Sequence, residues 1–421
     1  MDKLTISTIL LLFCLFHAEA QTHIHLEMCR TAARETENFK ALNELLDQDR
    51  RTGEEQLKKI ILPDFSGYAQ SSYQTDVPNP VSLTDFPFET HTVSNFQYHF
   101  GFLVQQNIYS GGSYQIRKDL HRIDNDISQL DLDTKYLALD NTVDDLFFGI
   151  IIARSNEKIL DSQLQIIDRK LADLRLAFEQ GLVFRKTVLE MEAERLKSEA
   201  SLTECRSECR KNIALLSTLT GKPLSEHDEF VLPSVDRSDP VADPSLTRLE
   251  LEDQRISQNK KMAKAATLPH LGLFGIVGYG QWPLNFFSRT PSTYGIAGLH
   301  LTIPLTDWRD TQKKQMLLNN AAQKITYEKM HLERRRELED LRYDSEIARY
   351  DSLMDVSART VALYQELSDE LGSMSALGES PVSEYIVALS KLTSARQHHE
   401  LYSILKLKLR LQRKRYILSQ P

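Results

Sequence analysis

Apolar positions recur along this chain with two different periods, and the switches between them separate helices from strands. Leu160, Leu164, Ile167, Leu171, Leu174 and Phe178 follow one another at spacings of 4, 3, 4, 3 and 4, a heptad seam. After Gly181 a more polar stripe runs through Val188, Met191, Arg195, Ser198, Leu202, Cys205 and Cys209 at 3, 4, 3, 4, 3 and 4. No Pro occurs between Pro87 and Pro223, so the stretch from Ser113 to Gln180 reads as helix, about 100 Å of it. No compact domain holds a helix of that length. Between Asn95 and Gln105 the period drops to two. Phe96, Tyr98, Phe100, Phe102 and Val104 share one face, and Gln97, His99, Gly101, Leu103 and Gln105 the other. Aromatic outside and mostly polar inside, over about ten residues, is the pattern of an outer-membrane barrel strand. A half-buried strand of a soluble sandwich gives the same alternation. The run Leu405 to Leu411 also alternates, yet Leu401, Leu405 and Leu409 suit a helix equally.

The pattern is laid down twice. A helix runs into Leu62-Pro63 and again into Leu268-Pro269, where Pro stops it. Strands are predicted at about 64–75 and 93–108 in the first copy and at about 270–281 and 294–306 in the second. Pro-bearing loops join them at 76–91 and 282–293. A long helical hairpin follows each pair, turning near Gly181 and near Gly378. Ile108 to Gly181 and Leu305 to Gly378 are each 73 residues apart, whereas Pro63 to Ile108 is 45 and Pro269 to Leu305 is 36. The helical part keeps its length and the loops do not. The reading is therefore a first repeat over 21–220, a Pro-rich surface linker over 221–244, and a second repeat over 245–421. Four strands per chain cannot close a membrane barrel, since about eight is the smallest. An open edge in lipid leaves backbone groups unpaired, so membrane-spanning strands here require several chains.

Composition narrows the function. Residues 1–20 read as a secretory signal peptide, with Lys3, an apolar core over Ile9 to Phe16 and Ala18-Glu19-Ala20 as cleavage site. No later segment is apolar enough to cross a bilayer as a helix. With 51 Lys and Arg against 59 Asp and Glu, the chain offers no broad basic field for nucleic acid. Cys29, Cys205 and Cys209 remain after the signal peptide, too few for a disulfide scaffold. Cys205 and Cys209 read as small apolar members of a packed stripe, with no further metal ligand nearby in sequence. The His residues are scattered, with no H-E-x-x-H, G-x-S-x-G or Walker loop, and no catalytic residue, cofactor or metal site is assigned. The basic run from Lys406 to Arg415 reads as a solvated surface.

In the order and duplicated spacing of these features the sequence resembles the TolC-like outer membrane efflux protein family. The resemblance covers essentially the whole mature chain. It rests on the signal peptide, the two Leu-Pro helix ends and the strand end Ile108 to Gly112. It rests also on the Gly-centred turns and on the helix end Leu216-Ser217-Thr218-Leu219-Thr220-Gly221. It implies an α+β chain: a long α-helical coiled-coil barrel fused to a 12-stranded transmembrane β-barrel, closed by a homotrimer with four strands per chain. It further implies an exit duct in the outer membrane with its helical tunnel in the periplasm. Such a duct serves tripartite efflux or type I secretion, with a periplasmic adaptor (membrane fusion) protein and an inner-membrane pump of RND or ABC type. Gly181, Leu182, Val183, Leu377 and Gly378 match the tips at which the adaptor docks. Glu384 matches the first of two acidic gate positions, and Val387 stands at the second; a ring of three Glu384 favours cations. The alternative is a soluble periplasmic coiled-coil scaffold or adaptor, which accounts for the heptads but not for the paired aromatic strands.

Overall fold

The structure, a computed structural model, describes residues 23–77, 94–234, 244–281, 290–305 and 308–417. The signal peptide expected at 1–20, most of the two strand-joining loops and residues 235–243 of the expected linker lie outside them. A short strand β1 (His23–Ile24) leads into helix α1 (Leu26–Arg34). Then come α2 (Glu37–Ile61), β2 (Asp64–Tyr73), β3 (Phe96–Ser110), α3 (Ser113–Glu179) and α4 (Arg185–Thr220). A second short strand β4 (Glu229–Phe230) precedes α5 (Pro244–Ala265), β5 (His270–Gly280), β6 (Ser292–Thr302), α6 (Trp308–Leu377) and α7 (Val382–Ile417).

Local chemistry accounts for these bounds. Pro63 and Pro269 lack the N–H that would continue α2 and α5. Gly111 and Gly112, at φ 63° and 78°, turn β3 into α3 through a left-handed corner that a side chain resists. Helix α3 then runs for 67 residues without a Pro. The ambiguous run Leu405 to Leu411 is helix, the body of α7. Its charges are not loosely solvated: Lys408 pairs with Asp145 at 2.6 Å, Arg413 with Asp344 at 2.6 Å, and Lys406 with Asp351. They clasp α7 to α3 and α6.

The chain divides into two compact units. One, within 43–130 and 246–331, holds a four-stranded antiparallel sheet in the order β2-β3-β5-β6. Register fixes its faces. Phe102 pairs with Gly67 and Val277, and Phe100 with Ala69 and Tyr279, so one face collects the aromatic and aliphatic side chains. These point outward: Phe102 is 73% exposed, and Phe96, Phe100, Val277, Leu299 and Leu301 are exposed with it. The opposite face carries Asp64, Ser66, Tyr68, Gln70, Gln97 and His99, with Tyr294 and His300 from β6. On that face Tyr68, Gly101, Gly278 and Tyr294 form one row across all four strands. The Tyr68 and Tyr294 hydroxyls hydrogen-bond to each other, tying the first strand to the fourth. The two glycines make this contact feasible. A Cβ on Gly278 would lie 2.5 Å from the Tyr294 hydroxyl, and one on Gly101 would strike the backbone of Val277 and Gly278.

The other unit, within 1–42, 131–245 and 332–421, is built on α3, α4, α6 and α7. One core gathers Phe147, Phe148, Ile150 and Val143 of α3 with Ile213 and Leu216 of α4, and closes over Ile24, Leu26, Cys29 and Ala33 of the first segment. Two arginines pin α1 there. Arg30 donates through Nε to Asp144 at 2.8 Å, and Arg34 donates through Nε to Asp140 at 3.1 Å. Asp140 and Asp144 are both buried, as is Arg30. Burial lowers the Arg30 guanidinium from its ordinary value, and Glu27 and Asp140 oppose that shift. The start of the expected linker is also built in. Ile24 pairs with Phe230, and Arg154 donates to the carbonyl of Glu226 at 2.7 Å while stacking over the Phe230 ring.

Cys29 lies in this core, and burial pushes its thiol up to about 11. The folded state holds the proton that the unfolded thiol loses from about pH 8.5 upward, so this contribution to stability is lost between there and about pH 11. At pH 8.5 we expect iodoacetamide to label the half-buried Cys205 first and to spare Cys29 until urea unfolds the chain. Mass spectrometry of the alkylated peptides checks the order; rapid labelling of Cys29 in native protein would contradict the packing.

Candidate functional site at the hairpin tips

Both sequence-predicted turns are built alike. Gly181 follows α3 at φ 75°, and the Leu182 N–H reaches back to the Ala177 carbonyl at 2.9 Å. Gly378 follows α6 at φ 77°, and the Glu379 N–H reaches the Met374 carbonyl at 2.9 Å. This six-to-one bond over a left-handed residue satisfies carbonyls that the helix end leaves open, and glycine takes that conformation without strain. Pro381 sits directly before α7, where its fixed φ starts a helix and its missing N–H costs nothing.

The structure brings the two tips together. Ile167, Leu171 and Leu174 of α3 pack with Val188 and Met191 of α4 and with Val382, Tyr385, Ile386 and Leu389 of α7 in one core. Four of the six members of the predicted α3 seam, Leu160, Ile167, Leu171 and Leu174, are buried, and Gln163 is buried among them. Phe178, the last predicted member, is exposed, because the helix ends one residue later and presents no neighbouring turn to cover it. Gly372 lies on α6 opposite Tyr385, where a Cβ would sit 3.1 Å from the ring. The missing side chain makes the seat for a buried tyrosine. Burial pushes the Tyr385 phenol up, with Asp369 adding to the shift.

The turn residues themselves face outward. Leu182 is 73% and Leu377 74% exposed, Gly181 and Gly378 are exposed, and Val183 is half-buried. Phe184, which the sequence reading did not single out, is 84% exposed and stands between the two helices of the first hairpin. Its signal was available: an aromatic in a five-residue turn with no seam position to fill. Glu384 lies in the first turn of α7, exposed, and accepts a hydrogen bond from the Ser380 hydroxyl at 3.2 Å. A carboxylate there is also favoured by the partial positive charge of the helix start. Glu384 borders a groove of about 400 Å³ lined also by Leu367, Leu371, Val387, Ala388 and Lys391. Val387 is thus an apolar wall beside Glu384, not a second acid.

No protein-family model matches the sequence, and no curated protein is significantly similar to it. Solved structures are a different matter. The outer membrane protein VceC of Vibrio cholerae superposes with a TM-score of 0.74 at 13% identity, over 94% of this chain and 96% of its own. The outer membrane channel MtrE of Neisseria gonorrhoeae, in its open state, gives 0.71 at 14% identity, over 94% and 90%. This chain has the fold of these outer membrane channels. The CmeC channel of Campylobacter jejuni shares it as well, at a TM-score of 0.66 and 16% identity, over 94% of this chain and 86% of that one. At such identities the likeness is one of backbone path. It nevertheless extends over nearly the whole chain, as the TolC-like resemblance implies for a single chain.

Proposed function

We propose that this protein is an outer membrane channel, a passive exit duct that closes as a homotrimer. The observation that carries this reading is the sheet. One face is a continuous exposed apolar belt and the other is largely polar, and among the described residues β2 and β6 each pair on one side only. A belt of that kind suits outer-membrane lipid, and unpaired edges in lipid must find partners. Joining β6 of one copy to β2 of the next satisfies both demands, and three copies give twelve strands. Exposed Tyr327, Met330, Leu338, Leu341, Val356, Leu363 and Leu367 recur along α6 at close to helical period, as expected of a face that meets a neighbouring copy. The chain then reads as two repeats of one plan, α2-β2-β3-α3-α4 and α5-β5-β6-α6-α7, with the sheet in the outer membrane and the hairpins in the periplasm.

In this reading Gly181, Leu182, Val183, Leu377 and Gly378 form the periplasmic tips that a membrane fusion adaptor grips. An inner-membrane pump of RND or ABC type supplies the energy, in drug efflux or in type I secretion. The exposed Leu182, Leu377 and Phe184 supply the apolar contact that such docking needs. Glu384 contributes one carboxylate per chain to the mouth of the conduit.

The test is the native mass of the protein extracted in detergent from purified outer membranes. Three chains per particle is the expected result; a soluble monomer or dimer, absent from that membrane, would overturn the channel and leave the periplasmic scaffold. In planar bilayers the Glu384→Ala trimer is expected to lose part of its preference for cations. Unchanged selectivity would remove Glu384 from the gate.

A further inference from the structure

At the helix-linked end of the sheet, on the face that carries Tyr68 and Tyr294, a cavity of about 660 Å³ opens within a single chain. Its walls come from several elements. Lys59 enters from the end of α2, Arg117 from the start of α3, His270 from the first residue of β5 and His300 from near the end of β6. Asp64 is the one carboxylate in the lining. Among the described residues neither Lys59 nor Arg117 is held in an ion pair that would neutralise it. Gln105 and Asn107 of β3 add amide donors. The volume falls in the range of small-molecule sites.

We infer that this cavity is a binding site for small polyanionic solutes bearing phosphate or carboxylate groups. The donor set dictates the class. A guanidinium, an ammonium and two amides offer N–H groups from separate elements and converge on one space, and charge-assisted bonds of this kind are the strong ones. Two fixed cations face one carboxylate, so an anion adds to the site without having to displace a partner. His300 is held in place: it stands over Gly272, where a Cβ would lie 2.2 Å from its ring, and its ring packs against Phe274. The solute would arrive from the polar face of the sheet, opposite the apolar belt. Binding itself does not depend on the channel reading, but the consequence does: in a closed trimer three such sites would ring the base of the barrel, on the route of the exported molecule.

The probe is inorganic pyrophosphate, titrated calorimetrically into the full-length protein in detergent at low salt. One site per chain is expected. Losing both charges in K59Q/R117Q is expected to weaken binding by roughly tenfold or more. The charge-preserving K59R/R117K should bind more tightly than K59Q/R117Q, which also reports that the fold is intact. No heat with wild type, equal binding by K59Q/R117Q, or equal loss in K59R/R117K would each overturn the site. Phosphatidic acid in the micelles should not compete; competition would mean that the cavity takes a lipid headgroup and would overturn the solute assignment. Bilayer conductance of the wild type separates the two readings. Conductance without pyrophosphate binding leaves the channel and removes the site, and binding without conductance does the reverse.

Discussion

Replacing Phe102 with Arg is expected to destabilise the membrane-inserted sheet by about 2–4 kcal/mol per chain. Phe102 sits midway along the apolar face, paired with Gly67 and Val277, and is among the most exposed aromatics of the belt. In lipid an arginine there must be dragged out of water or snorkel past Phe100 and Val104. In a trimer the cost is met three times. On a soluble scaffold the same change adds a charge to an already solvated surface, and surface substitutions of that kind stay within about 0.5 kcal/mol. Urea unfolding of the protein reconstituted in lipid vesicles reads the difference directly. A neutral result would argue that the belt never meets lipid. The control is Ser66→Arg on the polar face, for which a small effect is expected.

The second large effect is expected at Asp144. Asp144→Ala leaves the Arg30 guanidinium buried without its 2.8 Å partner, and breaking a buried pair from one side costs about 3–5 kcal/mol. Chemical denaturation followed by far-UV circular dichroism should show the midpoint falling accordingly. Replacing both partners, Arg30→Met with Asp144→Leu, is expected to recover most of that loss, because no uncompensated charge remains. If the single and double variants are equally unstable, the clamp acts through packing and not through charge.

Much of this architecture can be read along the chain because its determinants are local. Alternation places β3 to within about three residues, since a strand with one apolar face must repeat at two, and the helix stop at Pro63 marks where β2 begins. Gly181 and Gly378 announce their turns because a helix end in a left-handed corner favours a residue without Cβ. The stripe after Gly181 is equally legible: Val188, Met191, Ser198, Leu202 and Cys209 are buried where spacing places them. What stays hidden depends on partners far apart in sequence. Arg30 and Asp144 are separated by 114 positions and Tyr68 and Tyr294 by 226, so no window on the chain contains both. The charges of α7 deceive for a similar reason. Lys406 and Lys408 look like a solvated run until Asp351 and Asp145 are placed opposite them. At the tip, Glu384 was visible as an acid near a turn, but the groove beside it comes from Leu367 and Leu371 on another helix.

The clamp on α1 also sets an order of events. His23 to Arg34 are made well before the long-range partners that hold them. Asp140 and Asp144 follow after more than a hundred residues, and Phe230, which completes the two-stranded pairing, after two hundred. Contacts between segments so far apart form only after the intervening chain has been gathered in. The α1 segment is therefore fastened late. It stays within reach of proteases and chaperones until α3 and α4 have closed beneath it.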